Sequence, residues 1–339
     1  MLRVGIVGFG FMGRMHYARW KAVEGAEVVA ICDANPNIVE DTKKAVGNIE
    51  GAGGEVDFDS LDLYSDYNKM LTEAKLDAVS ITLPTFLHPN FSVKALEAGL
   101  HVLCEKPMAL NVDDCRRMIT AAAQSGKVLM IGHCVRFWPE YAKTKEIVDS
   151  GACGKVVAAT FQRLGAAPTW GADNWFSDDA RSGGVALDLH IHDTDYVQYL
   201  FGMPKSVLSR QARAGGGGAV HIATQYIYDD DKVVTAEGGW AMTPAFGFEM
   251  SFNIALEKAT IVYDCTRAPA FRVCPAQGEA FTPEVAAGDG YSIEISHFAA
   301  LTAGRDVARV TTLAGSLDSV KIVLAEKESA EKGQAVLLG

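Results

Sequence analysis

The hexapeptide Gly8-Phe9-Gly10-Phe11-Met12-Gly13 follows an apolar run at 4–7 and opens a segment of helical spacing. Glycine at its first, third and sixth positions meets three demands: a tight turn, close backbone approach to a pyrophosphate, and close packing of helix on strand. The free amides at the start of the following helix, with the positive end of its dipole, favour phosphate oxygens. Gly8, Gly10, Phe11, Met12 and Gly13 are therefore candidate contacts for a dinucleotide. Asp33 ends the next apolar run, 20 residues past Gly13, where a carboxylate would take the hydroxyls of an adenosine ribose. A plain turn with a solvated strand end is the rival reading. Strand, turn, helix, strand and acid in this order favour the dinucleotide. Asp33 also points to NAD rather than NADP, because its charge repels a 2′-phosphate and Ala34-Asn35-Pro36 offers no arginine to neutralise one.

Further β-branched apolar runs at 28–32, 78–83, 101–104 and 128–132 alternate with helical spacing, which implies a parallel sheet covered on both faces. A helix over 89–99 carries Phe91, Val93, Ala95 and Leu96 and stops at Gly99. The glycine-rich, acidic stretch 47–62 reads as an exposed loop insertion. Beyond about residue 150, strand-like segments follow one another at 155–163, 206–213, 220–228, 233–239, 246–256 and 259–264. Asp229-Asp230-Asp231 marks a hairpin turn and 215–218 a flexible one. From Phe246 to Leu256 apolar residues alternate with small or polar ones, the pattern of a mostly antiparallel sheet with one apolar face. Helical spacing returns at 184–201, 293–302 and 313–332. The expected fold is α/β: an N-terminal Rossmann, doubly wound parallel sheet, then a C-terminal α+β domain on a large open, mostly antiparallel sheet. The expected division is 1–134 for NAD binding and 135–339 for substrate binding and oligomerisation, with C-terminal helices packing back on the first domain.

Lys+Arg 31 against Asp+Glu 42 leaves a net charge of −11. Neither part of the chain has a basic excess, so a nucleic acid or an anionic membrane is not an expected partner. The seven cysteines include no Cys-x-x-Cys pair, which tells against a disulfide framework or structural zinc and fits a reducing compartment. No apolar run approaches the roughly 18 residues of a membrane span, and the N-terminus has no signal-peptide pattern. A cytoplasmic protein is expected.

Two further clusters carry chemistry. His101-Val102-Leu103-Cys104-Glu105-Lys106-Pro107 places a lysine at the carboxyl end of a buried strand, where ligands of open α/β sheets bind. Partial desolvation would lower its pKa, and Pro107 is compatible with a cis bond. In the segment after Gly183-Gly184, Asp188, His192 and Asp195 fall at i, i+4 and i+7 on one helical face. An imidazole between carboxylates is what a general base needs. Two alternatives stand beside it: a solvated helix face, or a metal site of Asp188, His190, His192 and Asp193. Helical geometry tells against the second, since His190 points away from His192, and no metal is expected.

Taken in order, several pieces resemble the Gfo/Idh/MocA family of NAD(P)-dependent oxidoreductases. They are the hexapeptide 8–13, Thr82-Leu83-Pro84 with His88, Ala95-Leu96-Glu97-Ala98-Gly99, Glu105-Lys106-Pro107, Arg136-Phe137-Trp138-Pro139, Asn174-Trp175-Phe176, and Gly183-Gly184 followed by Asp188 and His192. The resemblance covers residues 4 to about 200, with a similar helical tail. It implies hydride transfer between a secondary alcohol of a sugar or an inositol-like cyclitol and nicotinamide. In that scheme His192 takes the hydroxyl proton, Lys106 hydrogen-bonds the same oxygen, and Asp188 orients one of them. It further implies that Thr82, Pro84, His88 and Glu105 position the nicotinamide half, that Arg136 and Trp175 border the cofactor, and that Asp195 is a substrate acid. Arg163, near a strand end, is a candidate for a polar or anionic substrate group. Relatives that cleave glycosides through transient oxidation, and non-catalytic dinucleotide-sensing regulators, define the alternatives; intact Lys106, Asp188 and His192 tell against a sensor. A homodimer or homotetramer through the C-terminal sheet is expected.

Overall fold

Short runs of β-branched and small apolar residues, buried on both faces, build the first sheet. In this computed structural model, which describes residues 1–44, 56–168, 175–176, 178–214 and 218–338, the strands are β1 (Leu2–Val7), β2 (Ala26–Cys32), β3 (Asp62–Tyr64), β4 (Ala78–Ile81), β5 (His101–Glu105) and β6 (Leu129–Gly132). All pair in parallel, in the order β3-β2-β1-β4-β5-β6. Val4, Ile6, Ala78, Val79, Val102 and Leu103 are fully buried, as central strands between two helical layers must be. The crossovers are α1 (Phe11–Trp20), α2 (Ile38–Lys44), α3 (Tyr67–Glu73), α4 (His88–Glu97) and α5 (Val112–Ser125). Strand order reverses between β1 and β4, and the carboxyl ends at such a switch point are where ligands of open α/β sheets bind. These elements belong to one of two compact units, formed by Met1–Cys134, Trp170–Trp175 and Asp289–Leu313. Its helix Gly290–Thr302 packs on α1 through Trp20 and Phe298, whose rings meet edge to face at 6.0 Å, and through an Arg19–Asp289 ion pair. The stretch expected as a loop insertion ends in β3, whose three residues are none of them buried; residues 45–55 lie outside those described.

The second unit comprises Val135–Thr169, Phe176–Gly288 and Ala314–Gly339. It holds α6 (Pro139–Asp149), β7 (Val156–Gly165), α7 (Asp179–Ser182), a π-helical turn (Ala186–His190), α8 (Ile191–Phe201), β8 (Ser206–Arg213), β9 (Ala219–Ile227), β10 (Val233–Gly239), β11 (Phe248–Leu256), β12 (Ala259–Asp264), β13 (Phe271–Pro275), the helix Leu313–Lys332 and β14 (Val336–Leu337). The eight strands run β13-β12-β11-β7-β10-β9-β8-β14, and every pair is antiparallel except β7 with β10. One face is the apolar one: Phe161, Phe252 and Tyr263 pack with Tyr141 of α6 and Tyr196 of α8, with ring centroids 4.7–6.0 Å apart. The other carries Thr160, Gln162, Gln225, Thr235 and Glu237, which with Leu208 and Arg210 line a shallow cavity of about 590 Å³. The expected strand 246–256 begins at Phe248, because Phe246 closes a short 3-10 turn. The flexible turn at 215–218 lies almost wholly outside the described residues. Among those described, no helix is long and apolar enough to cross a membrane.

Candidate functional site

The glycine turn is built by backbone constraints. Gly8 adopts φ +87°, a conformation L side chains rarely reach. A Cβ on Gly13 would collide with the Gly8 carbonyl oxygen, whereas one on Gly10 would meet nothing within 4 Å. The third glycine therefore serves packing and the second leaves space. The N-terminus of α1 has no side-chain cap and no acid in its first turn, so its dipole end stays available to an anion. Asp33 accepts from the Phe9 amide at 2.6 Å and from the Asn35 amide at 2.8 Å, tying the turn to the end of β2. Each carboxylate oxygen has a further lone pair for a ribose hydroxyl. Thr82 donates to the Gly8 carbonyl at 2.6 Å and so braces the turn. Pro84 precedes the short 3-10 turn that leads into α4.

His88 is fully buried, with Nδ1 2.8 Å from the Pro107 carbonyl and Nε2 2.8 Å from the Leu83 carbonyl. It ties the loop after β4 to the loop after β5. Burial pulls its pKa down despite those two carbonyls. Glu105 is buried as well; Oε1 lies 2.9 Å from His16 Nε2, and Oε2 accepts from the Lys106 amide. Burial alone would raise its pKa, but the His16 hydrogen bond and the charges of His16, Lys106 and His88 hold it below the ordinary carboxylate range. His16, on the inner side of α1, is a supporting residue that sequence reasoning missed; its only signal is a position three past Gly13. Lys106 is half-buried at the strand end, and its bond to Pro107 is cis. Trp175 is partly exposed.

The Asp–His segment is held by buried charge. Ile191 N–H bonds to the Ala186 carbonyl, five residues back, and this π turn widens the helix ahead of α8. Asp188 and His192, on either side of this turn's end, are half-buried, while Asp195 further along α8 is 1% exposed. Asp195 accepts from Arg136 Nε at 2.7 Å and Nη2 at 2.8 Å, and from Ser319 Oγ at 2.7 Å. Asp193 accepts from Arg163 Nε at 2.7 Å and Nη2 at 3.1 Å. Arg136, Arg163 and Asp195 are thus members of internal ion pairs, because a charge removed from water needs an opposite one beside it. The four residues of the metal alternative do not converge, since Asp193 turns to Arg163 and His190 packs beneath Gly238. Among the described residues no group of His, Cys, Asp or Glu is placed to hold a metal ion.

Residues 2–133 match the Gfo/Idh/MocA model described as an oxidoreductase family with an NAD-binding Rossmann fold, and residues 141–262 match the Gfo/Idh/MocA C-terminal domain. Among curated proteins, 2,7-anhydro-N-acetylneuraminate hydratase of Mediterraneibacter gnavus is 30% identical over 67% of this chain and 56% of its own length. Myo-inositol 2-dehydrogenase of Thermotoga maritima is 30% identical over 59% of this chain and 55% of its own. The chain thus spans little more than half the length of these relatives. Scyllo-inositol 2-dehydrogenase (NAD+) of Bacillus subtilis is 25% identical over 99% of this chain and 96% of its own length. Levoglucosan dehydrogenase, solved with NADH and levoglucosan, shares the fold with a TM-score of 0.83, at 22% identity over 99% of each chain.

Proposed function

Because the chain belongs to the Gfo/Idh/MocA family of NAD-binding oxidoreductases, we propose that it is an NAD-dependent dehydrogenase of a sugar or cyclitol. One observation carries the reading: the glycine turn after β1 and Lys106 after β5 lie at the same edge of one parallel sheet. The residues present fit a dinucleotide, since Gly10 leaves room where a pyrophosphate approaches and Asp33 retains acceptor capacity for a ribose. Gly8, Gly10, Phe11, Met12 and Gly13 would hold the pyrophosphate, and the Asp33 carboxylate selects against a 2′-phosphate. Bound NAD supplies a hydride acceptor at its nicotinamide ring.

The chain's own residues supply the proton chemistry. Lys106 hydrogen-bonds the substrate hydroxyl oxygen and stabilises charge that develops there. His192 accepts the hydroxyl proton, and Asp188 orients the imidazole. Glu105, fixed by His16, holds the backbone at Lys106. Relatives named for inositol and levoglucosan oxidation make polyols and sugars the first substrates to try. A second reading, oxidation that is later reversed, gains support from the relative named a hydratase, because hydration has no net redox change. Copies of the chain would pair through the polar sheet face around Thr160, Gln162 and Gln225. All seven cysteines are free thiols, which suits the cytoplasm. The test is NADH formation at 340 nm with a panel of inositols and sugars. Lys106→Ala and His192→Ala are each expected to lower kcat/KM by about 10²–10⁴; full activity in both would overturn the mechanism.

A further inference from the structure

Behind the Asp–His segment lies a buried cluster that hydride transfer does not use. Glu326, on the helix Leu313–Lys332, is fully buried, as are His190, Thr194 and Tyr226. Asp193 and Asp195 each hold an arginine, but among the described residues Glu326 meets a hydroxyl, a phenol and an imidazole. Thr194 Oγ1 donates to Glu326 Oε1 at 3.0 Å. That uses the threonine's one proton, so the Tyr226 hydroxyl, 3.0 Å from Thr194 Oγ1, donates to it. His190 Nε2 lies 3.5 Å from both Tyr226 Oη and Glu326 Oε2. His190 Nδ1 has no partner among the described residues and is set against Gly238, where a Cβ would come within 2.9 Å. The ring proton therefore belongs on Nε2, the nitrogen with acceptors. Tyr226 thus fixes the Thr194 hydroxyl, and Thr194 and His190 face the Glu326 carboxyl group.

The cluster grips the chain at a sensitive place. His190 is the last residue of the π turn and Thr194 lies in the first turn of α8. Asp188 and His192 alternate with them along the chain. We infer that Glu326, acting through His190 and Thr194, is a positioning residue that sets the phase of the π-to-α junction and so the direction of Asp188 and His192. This rests on the dehydrogenase reading of those two residues. Burial pushes the Glu326 carboxyl up to about 7 and His190 down to about 3, so the imidazole is neutral at physiological pH. The ionisable groups facing the cluster are Asp193 on α8, Arg163 on β7 and His221 on β9.

The test combines kinetics with nitrogen-15 spectra of the histidine rings in the whole protein. In the wild type His190 is expected as the neutral Nε2–H tautomer between about pH 6 and 8. Glu326→Gln is expected to lower kcat by about 10- to 100-fold, to leave KM and NAD affinity within about threefold, and to move the titration of His192. Thr194→Val should match it, while Thr194→Ser, which keeps the hydroxyl, should restore kcat; this pair decides the matter if Glu326→Gln does not fold. The spectra need no turnover. A wild-type protein inert toward every polyol would sink the dehydrogenase reading alone. His190 and His192 signals that ignore both Glu326→Gln and Thr194→Val would overturn the positioning role, whatever the catalytic outcome.

Discussion

The dinucleotide turn and the Asp–His segment are fixed by different physics. In the turn the constraints are local and mostly backbone: a left-handed Gly8, a Gly13 pressed on the Gly8 carbonyl, and Thr82 and Asp33 bonded to main-chain atoms. At the start of α8, three consecutive buried side chains, Asp193, Thr194 and Asp195, reach to Arg163, Glu326 and Arg136. Their partners lie from 30 to 132 positions away in the chain. A backbone motif is an economical way to bind a phosphate found in every dinucleotide. Long-range charge pairs instead lock one helix in one orientation, as the general base proposed above would require.

The largest expected effect breaks a lock of the second kind. Asp193→Ala leaves the Arg163 guanidinium buried without its partner, and breaking such a pair costs about 3–5 kcal/mol. Urea unfolding should show the midpoint fall by that measure with an unchanged slope. Arg163→Met with Asp193→Leu removes both charges and should recover most of the loss. A double variant no more stable than the single one would show that the pair is not what holds α8.

A smaller effect separates two glycines that look alike in sequence. Gly13→Ala overpacks the turn against the Gly8 carbonyl and should cost about 1–3 kcal/mol of stability along with NAD affinity. Gly10→Ala meets open space, so its stability should stay within about 0.5 kcal/mol of wild type while NAD affinity falls. NADH fluorescence titration beside thermal unfolding reads both. Equal loss of stability in the two would show that the turn is not packed as described.

The same contrast explains what was legible in the sequence. Strands β8, β10 and β12 lie at the expected 206–213, 233–239 and 259–264, because alternation and turn residues mark their ends locally. The glycine turn opens α1 where its spacing placed it. What escaped has no local signal. Strands β3 and β14 are three and two residues long and contain no buried residue. The π turn depends on what α8 packs against, and a charge at the end of β7 reads as a candidate substrate contact until Asp193 is seen beside it. His16 likewise carries meaning only once Glu105 stands opposite.

The last prediction concerns pH and Glu326, a buried acid held by a threonine, a tyrosine and a histidine rather than by an arginine. The folded state raises Glu326 from 4.5 to about 7, so between these values it holds a proton that the unfolded chain has released, and stability falls as pH rises. His190 has the opposite sign. It is lowered from 6.5 to about 3, so over that window the unfolded chain binds the extra proton and stability rises with pH. From pH 4.5 to 6.5 the two slopes oppose each other, and their net contribution in the wild type should be close to zero. Glu326→Gln removes one of them. Its stability should then climb relative to wild type by about 1.4 kcal/mol per pH unit across that window. Parallel stability curves for the two proteins would mean that Glu326 stays ionised in the fold, and that the cluster at α8 is another charge lock like those of Asp193 and Asp195.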